Sequence, residues 1–219
     1  RTNKDEIKQV ILSEGLDLDP STWDETDRES LAREIRKRTK PMVIAANKID
    51  DPEAATNFAE IASDPAYDHL PIVPASAHAE KALKAANEAG RVDYTPGDDE
   101  FDIVGDVSEE QAAGLEQIRS LLVDHGGTGV QSSLEAALFD ALDLIAVFPG
   151  SDDGSTSEKG SFRDCFLLPA GSTTEDFATH IHTDLGDGLL HGIDCRSSRQ
   201  IGSGHVLDDR DVVELVTTN

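Results

Sequence analysis

Two rhythms of apolar and polar positions run along this chain, and the change between them divides it. Up to about residue 144, stretches with helical spacing alternate with short unbroken apolar runs; beyond it the apolar runs are short and follow one another closely. The first half predicts a short helix over 4–13 and an acidic loop over Gly15–Asp24. A helix over Thr26–Lys40 follows, with Leu31 and Ile35 on one face and the basic last turn Arg36-Lys37-Arg38, favourable at a helix C-terminus. Met42–Ala46 is continuously apolar, the signature of a strand covered on both faces. Leu70-Pro-Ile-Val-Pro-Ala-Ser-Ala77 is a second such run, and the residues between leave room for a crossover helix over Pro52–Ile61. Two apolar strands joined by a helix form a βαβ unit, with both strand ends on one edge of a parallel sheet.

Further on, an alanine-rich helix is predicted over His78–Ala89, closed by Gly90, and Arg91–Asp106 reads as a loop around Pro96-Gly97. Ser108-Glu-Glu-Gln111 is a capping box opening a helix with Leu115, Ile118 and Leu122 on one face, ended by Asp124–Gly127. Val130, Leu134, Leu138 and Leu142 are spaced as in a helix over Thr128–Leu144. Composition changes at Ile145–Gly150. The expected continuation is a polar loop over Ser151–Gly160, a strand over Ser161–Leu168 and a turn at Pro169–Gly171. Then come a capping box Ser172-Thr-Thr-Glu175 with a helix carrying Phe177 and Ile181, and strands over Leu189–Ile193 and Asp211–Val216. Four or five short strands around one helix make a small α+β roll. The expected division is 1–147 and 148–219.

Charge alters this picture. The 219 residues carry 44 acidic and 19 basic side chains, a net charge of -25, spread along the chain. Such a surface repels itself in dilute salt, whereas in molar salt the Debye length falls to about 3 Å and the same surface keeps a protein soluble. The expectation is a high-salt, halophilic cytoplasm, against the plainer reading of a calcium-rich or generally acidic protein. The apolar segments argue against disorder, and no run approaches membrane-spanning length. Two cysteines, Cys165 and Cys195, make neither a disulfide framework nor a zinc site, and both are expected as small buried residues. The chain starts at Arg1 and its one methionine is Met42, so a piece of a longer protein is expected.

Candidate chemistry lies where the first apolar strand stops, at Asn47-Lys48-Ile49-Asp50. Strand ends on one edge of a doubly wound sheet are where such folds bind ligands. An aspartate there can accept two hydrogen bonds from the ring N–H and exocyclic amine of guanine, a pattern adenine does not offer. Each charge-assisted bond contributes roughly 1.5–3 kcal/mol, and a missing donor leaves the charge unpaired. Asn47 can tie neighbouring loops together, and the stem of Lys48 can lie across the base. Ser76 and Ala77, at the second strand end, could offer backbone N–H groups to the guanine carbonyl. The plainer reading of Asp50 and Asp51 is a helix cap before Pro52, a task expected of Asp51 in any case. No Gly-x-x-x-x-Gly-Lys-Ser/Thr loop occurs, so no phosphate cradle is expected within the chain.

A family resemblance rests on several segments together. Gly171-Ser-Thr-Thr-Glu-Asp-Phe-Ala178, His180-Ile-His-Thr-Asp-Leu-Gly186, Ile193-Asp194 and Asp209–Val216 resemble a TGS domain, the β-grasp module found in threonyl-tRNA synthetases and certain GTPases. With Asn47–Asp50 and Thr128-Gly-Val-Gln131, the chain resembles the archaeal TGS-containing GTPases of the Obg-like/YchF-related group. The resemblance implies an α/β fold: the C-terminal half of a P-loop GTPase domain, with helical insertions at 1–24 and 79–127, followed by a β-grasp domain. It implies GTP as ligand because Asp50 is kept, Mg²⁺ held elsewhere in the whole protein, hydrolysis in the whole protein but not in this chain, and a ribosome or RNA as partner of about Val147–Asn219. Arg196 and Arg199, flanking an expected hairpin turn over Cys195–Gly204, are the candidate phosphate contacts, against the plainer reading that they pair with neighbouring acids. The alternative function is a nucleotide-sensing adaptor that does not turn over.

Three further signals favour ordinary roles. His180 and His182 lack a third metal ligand, and His182 falls in the His-Thr-Asp-Leu-Gly turn of the resemblance. Asp152–Glu158 has the wrong spacing for a calcium loop and reads as a solvated linker. Ser76 lacks the Gly-x-Ser-x-Gly elbow of a hydrolase nucleophile.

Overall fold

The computed structural model describes residues 4–150 and 164–218, which form two compact units, Arg1–Ala137 and Leu138–Asn219. The expected linker Ser151–Gly160 and the first three residues of the expected strand over Ser161–Leu168 lie outside the described residues.

In the first unit, helix α1 (Lys4–Ser13) packs against α2 (Glu25–Thr39), with Val10 buried and Ser30 of α2 donating to Glu14 at 2.7 Å. Asp24 and Asp27 form a capping box at the start of α2. Strand β1 (Ile44–Asn47) leads into α3 (Pro52–Ala62), which returns to β2 (Ile72–Ala75). The strands pair in parallel, Ile44 against Ile72 and Asn47 against Ala75, so both chains leave the sheet at the same edge. Asp51 caps α3, accepting the Glu53 N–H at 2.9 Å, and Pro52 occupies the first helical position, where its missing N–H costs nothing.

Helix α4 (Ala77–Glu88) begins directly after β2, and Gly90 takes the left-handed conformation just past its end, at φ 68°. The next segment departs from the sequence expectation. Within 91–106, β3 (Val92–Asp93) and β4 (Asp102–Ile103) pair as a short antiparallel hairpin that buries Tyr94 and Phe101. The polar composition of that stretch hid the two aromatic anchors. Helix α5 (Glu109–His125) opens on the Ser108–Gln111 box and closes on left-handed Gly126. The core gathers Ile49, Leu83, Val92, Tyr94, Phe101, Leu115 and Leu122.

The helix expected over Thr128–Leu144 is shorter. Helix α6 (Val130–Glu135) widens into a π-helical turn over Ala136–Ala141, Asp143 turns the chain at φ 52°, and Leu144 already begins a strand. Leu134, inside α6, and Leu142, past its end, are half exposed, at 54% and 51%, and do not form a core stripe. Val130, Leu134 and Leu138 do fall within the helical and π-helical turns, whereas Leu142 lies just past them, before the strand begins.

In the second unit, β5 (Leu144–Pro149) and β6 (Phe166–Pro169) lead to α7 (Thr174–Ile181) and the short α8 (Thr183–Asp187), then β7 (Leu189–Asp194), β8 (Arg199–Ile201) and β9 (Val212–Thr217). The sheet order is β6-β5-β9-β7-β8, with β5 and β9 parallel and the other pairs antiparallel. Helix α7 lays the fully buried Phe177 on one face, against Ile145, Val147, Leu168 and Val213, and Phe166 meets Phe177 edge-on at 5.8 Å. Two details differ from the sequence reading. The capping box is Thr173–Asp176, one residue later than expected, because Ser172 turns inward and donates to the Pro169 carbonyl at 2.7 Å. The stretch read as a hairpin turn, Cys195–Gly204, contains β8.

Candidate functional site

The end of β1 is shaped by three backbone features. Ile49 donates its N–H to the Ala75 carbonyl at 3.1 Å, and its side chain is buried in the core. Lys48 is forced to φ 70°, uncommon for a residue with a side chain. Asp51 N–H then closes the turn on the Lys48 carbonyl at 2.8 Å. With Ile49 anchored inward, Lys48 and Asp50 project outward, and both are exposed. Among the described residues Asp50 has no hydrogen-bond or ion-pair partner. An unpaired carboxylate in water costs little, and it is ready to accept from a ligand.

Across the sheet edge, the end of β2 supplies the second part. Ser76 is fully buried; its hydroxyl caps α4 by accepting the Ala79 N–H at 3.1 Å, and its own N–H donates to the Thr128 carbonyl at 2.8 Å. The Ser76 N–H is thus committed within the protein and is not a free donor. Ala77 is exposed, and its N–H donates to the Asn47 side-chain oxygen at 3.1 Å. Asn47 does tie the two strand ends together, and the bond it makes lies on the surface where an incoming carbonyl could share or replace it. Asp50, Ser76 and His78 border a cavity of about 800 Å³ that runs between α4 and α5, past Ala82, Ala86 and Ile118.

Beneath this edge lies a buried polar network that motif reading did not find. Glu80, on α4 and 6% exposed, accepts from the Tyr94 hydroxyl at 2.8 Å and from the Thr128 hydroxyl at 2.7 Å; Lys84 approaches its other oxygen at 3.3 Å. Burial pushes the Glu80 carboxyl up, but the bonds from Thr128, Tyr94 and Lys84 together hold it below its ordinary value. The Tyr94 hydroxyl is pushed up, first by burial and then by its bond to Glu80. A glutamate one turn after a strand-ending serine, in an alanine-rich helix, was the only signal the sequence offered.

No group of three or more His, Cys, Asp or Glu residues converges to hold a metal among the described residues. His180 packs edge-on against Phe166 at 6.0 Å, and His182 joins α7 to α8, its Nδ1 accepting the Asp184 N–H at 3.2 Å. Cys165 is exposed, contrary to the sequence expectation, because it lies just before β6; Cys195 is half-buried, and burial raises both thiols. Among the described residues the Arg196 guanidinium pairs with no acid and donates to the Arg210 carbonyl at 2.7 Å, while Arg199 starts the edge strand β8 in an exposed position. No helix among the described residues is long and apolar enough to cross a membrane.

Comparison with known proteins also gives two parts, meeting at residues 152 and 153, past the boundary of the compact units. Residues 45–152 match the family described as "Obg-like GTPase YGR210-like, G4 motif-containing domain", and residues 153–217 match the TGS domain. An uncharacterised GTP-binding protein of Methanocaldococcus jannaschii is 35% identical over 217 residues, which cover 98% of this chain and 54% of that protein. One from Schizosaccharomyces pombe is 32% identical over 177 residues, covering 75% of this chain and 42% of its own. The crystal structure of a GTP-binding protein from Pyrococcus horikoshii superimposes with a TM-score of 0.69 at 32% identity, over 99% of this chain and 57% of that one. The chain thus spans about half the length of the relatives it matches.

Proposed function

Carrying the G4 motif-containing domain of a YGR210-like Obg-like GTPase and a TGS domain after it, the chain is, we propose, the guanine-recognising portion of a GTP-hydrolysing regulatory protein. The observation that carries this reading is the placement of an exposed Asp50, unpartnered among the described residues, beside exposed Ala77, whose N–H bonds the Asn47 side chain across the β1–β2 edge. Asp50 accepts the ring N–H and the exocyclic amine of guanine. Ala77 donates to the guanine carbonyl, taking over the bond now made to Asn47. The stem of Lys48 lies on the base, and its left-handed backbone keeps that stem outside the core. Ser76 acts from behind, as helix cap and anchor of the turn. Phosphates and Mg²⁺ are held by other parts of the whole protein, since the described residues offer neither a metal-binding cluster nor, in sequence, a phosphate loop. The whole protein works in a salt-rich cytoplasm, and its TGS domain docks a ribosome or RNA.

The test is Asp50→Asn in the full-length protein. Replacing the carboxylate by an amide inverts one acceptor into a donor. GTP binding is expected to weaken by at least about a hundredfold, two charge-assisted bonds' worth, while binding of xanthosine triphosphate strengthens. Competition between the two nucleotides for the variant measures this directly. An unchanged preference would remove Asp50 from the base site.

A further inference from the structure

The buried carboxylate of Glu80 takes no direct part in the site as described, yet its bonds lead straight to it. Glu80 holds the Thr128 hydroxyl at 2.7 Å; the Thr128 carbonyl holds the Ser76 N–H at 2.8 Å; Ser76 precedes Ala77, whose N–H meets Asn47 at 3.1 Å. Each link is a single hydrogen bond, and three of the groups, Ser76, Glu80 and Thr128, are more than nine-tenths buried. Next to Thr128, Gly129 runs against β2 so closely that a Cβ there would collide with the Pro74 carbonyl. The backbone of 128–129 is therefore pressed onto the last residues of β2. Tyr94, brought in by the β3–β4 hairpin, holds the second lone pair of the same Glu80 oxygen at 2.8 Å. Three segments of the first unit thus converge behind one turn.

We propose that Glu80 and Thr128 form a clamp that positions the Ser76–Ala77 turn for its donation to the base carbonyl, and so set discrimination of guanine from adenine. The proposal rests on the base-reading assignment above and adds positioning residues to it; neither Glu80 nor Thr128 touches the nucleotide. The two halves of base recognition then depend on different parts of the protein. Asp50, held by the Ile49 anchor, reads the ring N–H and the exocyclic amine. Ala77, held by the clamp, reads the carbonyl, which adenine replaces with an amine that cannot accept.

That separation makes the clamp testable against a merely structural role. In the full-length protein, affinities for GDP, IDP and ADP are compared for Thr128→Val, which keeps the shape and removes the hydroxyl. GDP affinity is expected to fall about tenfold, one ordinary hydrogen bond's worth. The GDP-to-ADP preference falls with it, because the lost contact is one adenine never made. The GDP-to-IDP preference stays, because inosine keeps the carbonyl and lacks only the amine that Asp50 reads. Thr128→Ser restores the wild-type values. In the 219-residue chain, Ser76 and Ala77 amides exchange faster with solvent in the valine variant. Unchanged GDP-to-ADP preference, or both preferences falling by the same factor, would overturn the clamp. Should Thr128→Val fail to fold, Tyr94→Phe, which frees the same Glu80 oxygen from the other side, decides by the same two ratios. Asp50→Asn is run in parallel: it should abolish the GDP-to-IDP preference, and if it does not, the base-site reading fails independently of the clamp.

Discussion

At the scale of single residues, the first unit depends on a few positions where backbone passes close to backbone. Gly129 has φ 75° and no room for a side chain against Pro74 and Ala75. Gly129→Ala is expected to cost at least about 2 kcal/mol, from strain at a positive φ plus the collision. Gly114, in the middle of α5 with open space where a Cβ would go, is the contrasting case. There Gly114→Ala is expected to gain about 0.5–1 kcal/mol, the ordinary helix preference. Denaturant unfolding followed by circular dichroism measures both, and a gain at Gly129 would show that the approach of 128–129 to β2 is not needed. The residues proposed to read the base stood out in the sequence because their chemistry is carried by side-chain type at the end of an apolar run. The residues behind them were not. Glu80, Tyr94 and Thr128 come from three elements, and nothing in local spacing says that they meet.

At the scale of elements, caps and strand ends were legible and short pairings were not. The Ser108–Gln111 box, the Asp51 cap before Pro52 and the left-handed Gly90 each follow from a local hydrogen-bonding preference. The β3–β4 hairpin, with two residues in each strand, carries no periodicity to read. The α6 segment failed for a different reason: apolar spacing alone did not show that the helix widens into a π-helical turn and stops at Ala141, before Leu142 and β5. Its consequence is testable. If the helix ran to Leu144, Leu134 and Leu142 would be core residues and lysine there would be severely destabilising. With both half exposed, Leu134→Lys and Leu142→Lys are each expected to change stability by no more than about 0.5 kcal/mol. Leu122→Ala, in a fully buried position of α5, is expected to cost about 2–5 kcal/mol. Thermal midpoints of the three variants separate the two pictures.

At the scale of the whole molecule, charge and chain order govern. The net charge of -25 is carried by side chains that mostly face water, and the ion pairs among the described residues are largely exposed. Exposed pairs contribute little, so they do not offset the repulsion. Melting is expected to rise markedly from dilute buffer to molar potassium chloride, as screening shortens the reach of each charge. Equal melting temperatures in the two buffers would remove the high-salt reading. Chain order has a consequence of its own. Glu80 and Thr128 lie 48 residues apart, with the β3–β4 hairpin and the whole of α5 between them. At roughly 5–20 residues per second of synthesis, Thr128 is made about 2–10 seconds after Glu80. Closing so long a loop also carries its own entropy cost. During translation, the strand ends proposed to read the base are therefore complete for some seconds before the bonds from Thr128 behind them can form. A nascent chain interrupted anywhere in that interval carries every residue of the Asn47–Ala77 edge but lacks the Thr128 link between that edge and Glu80.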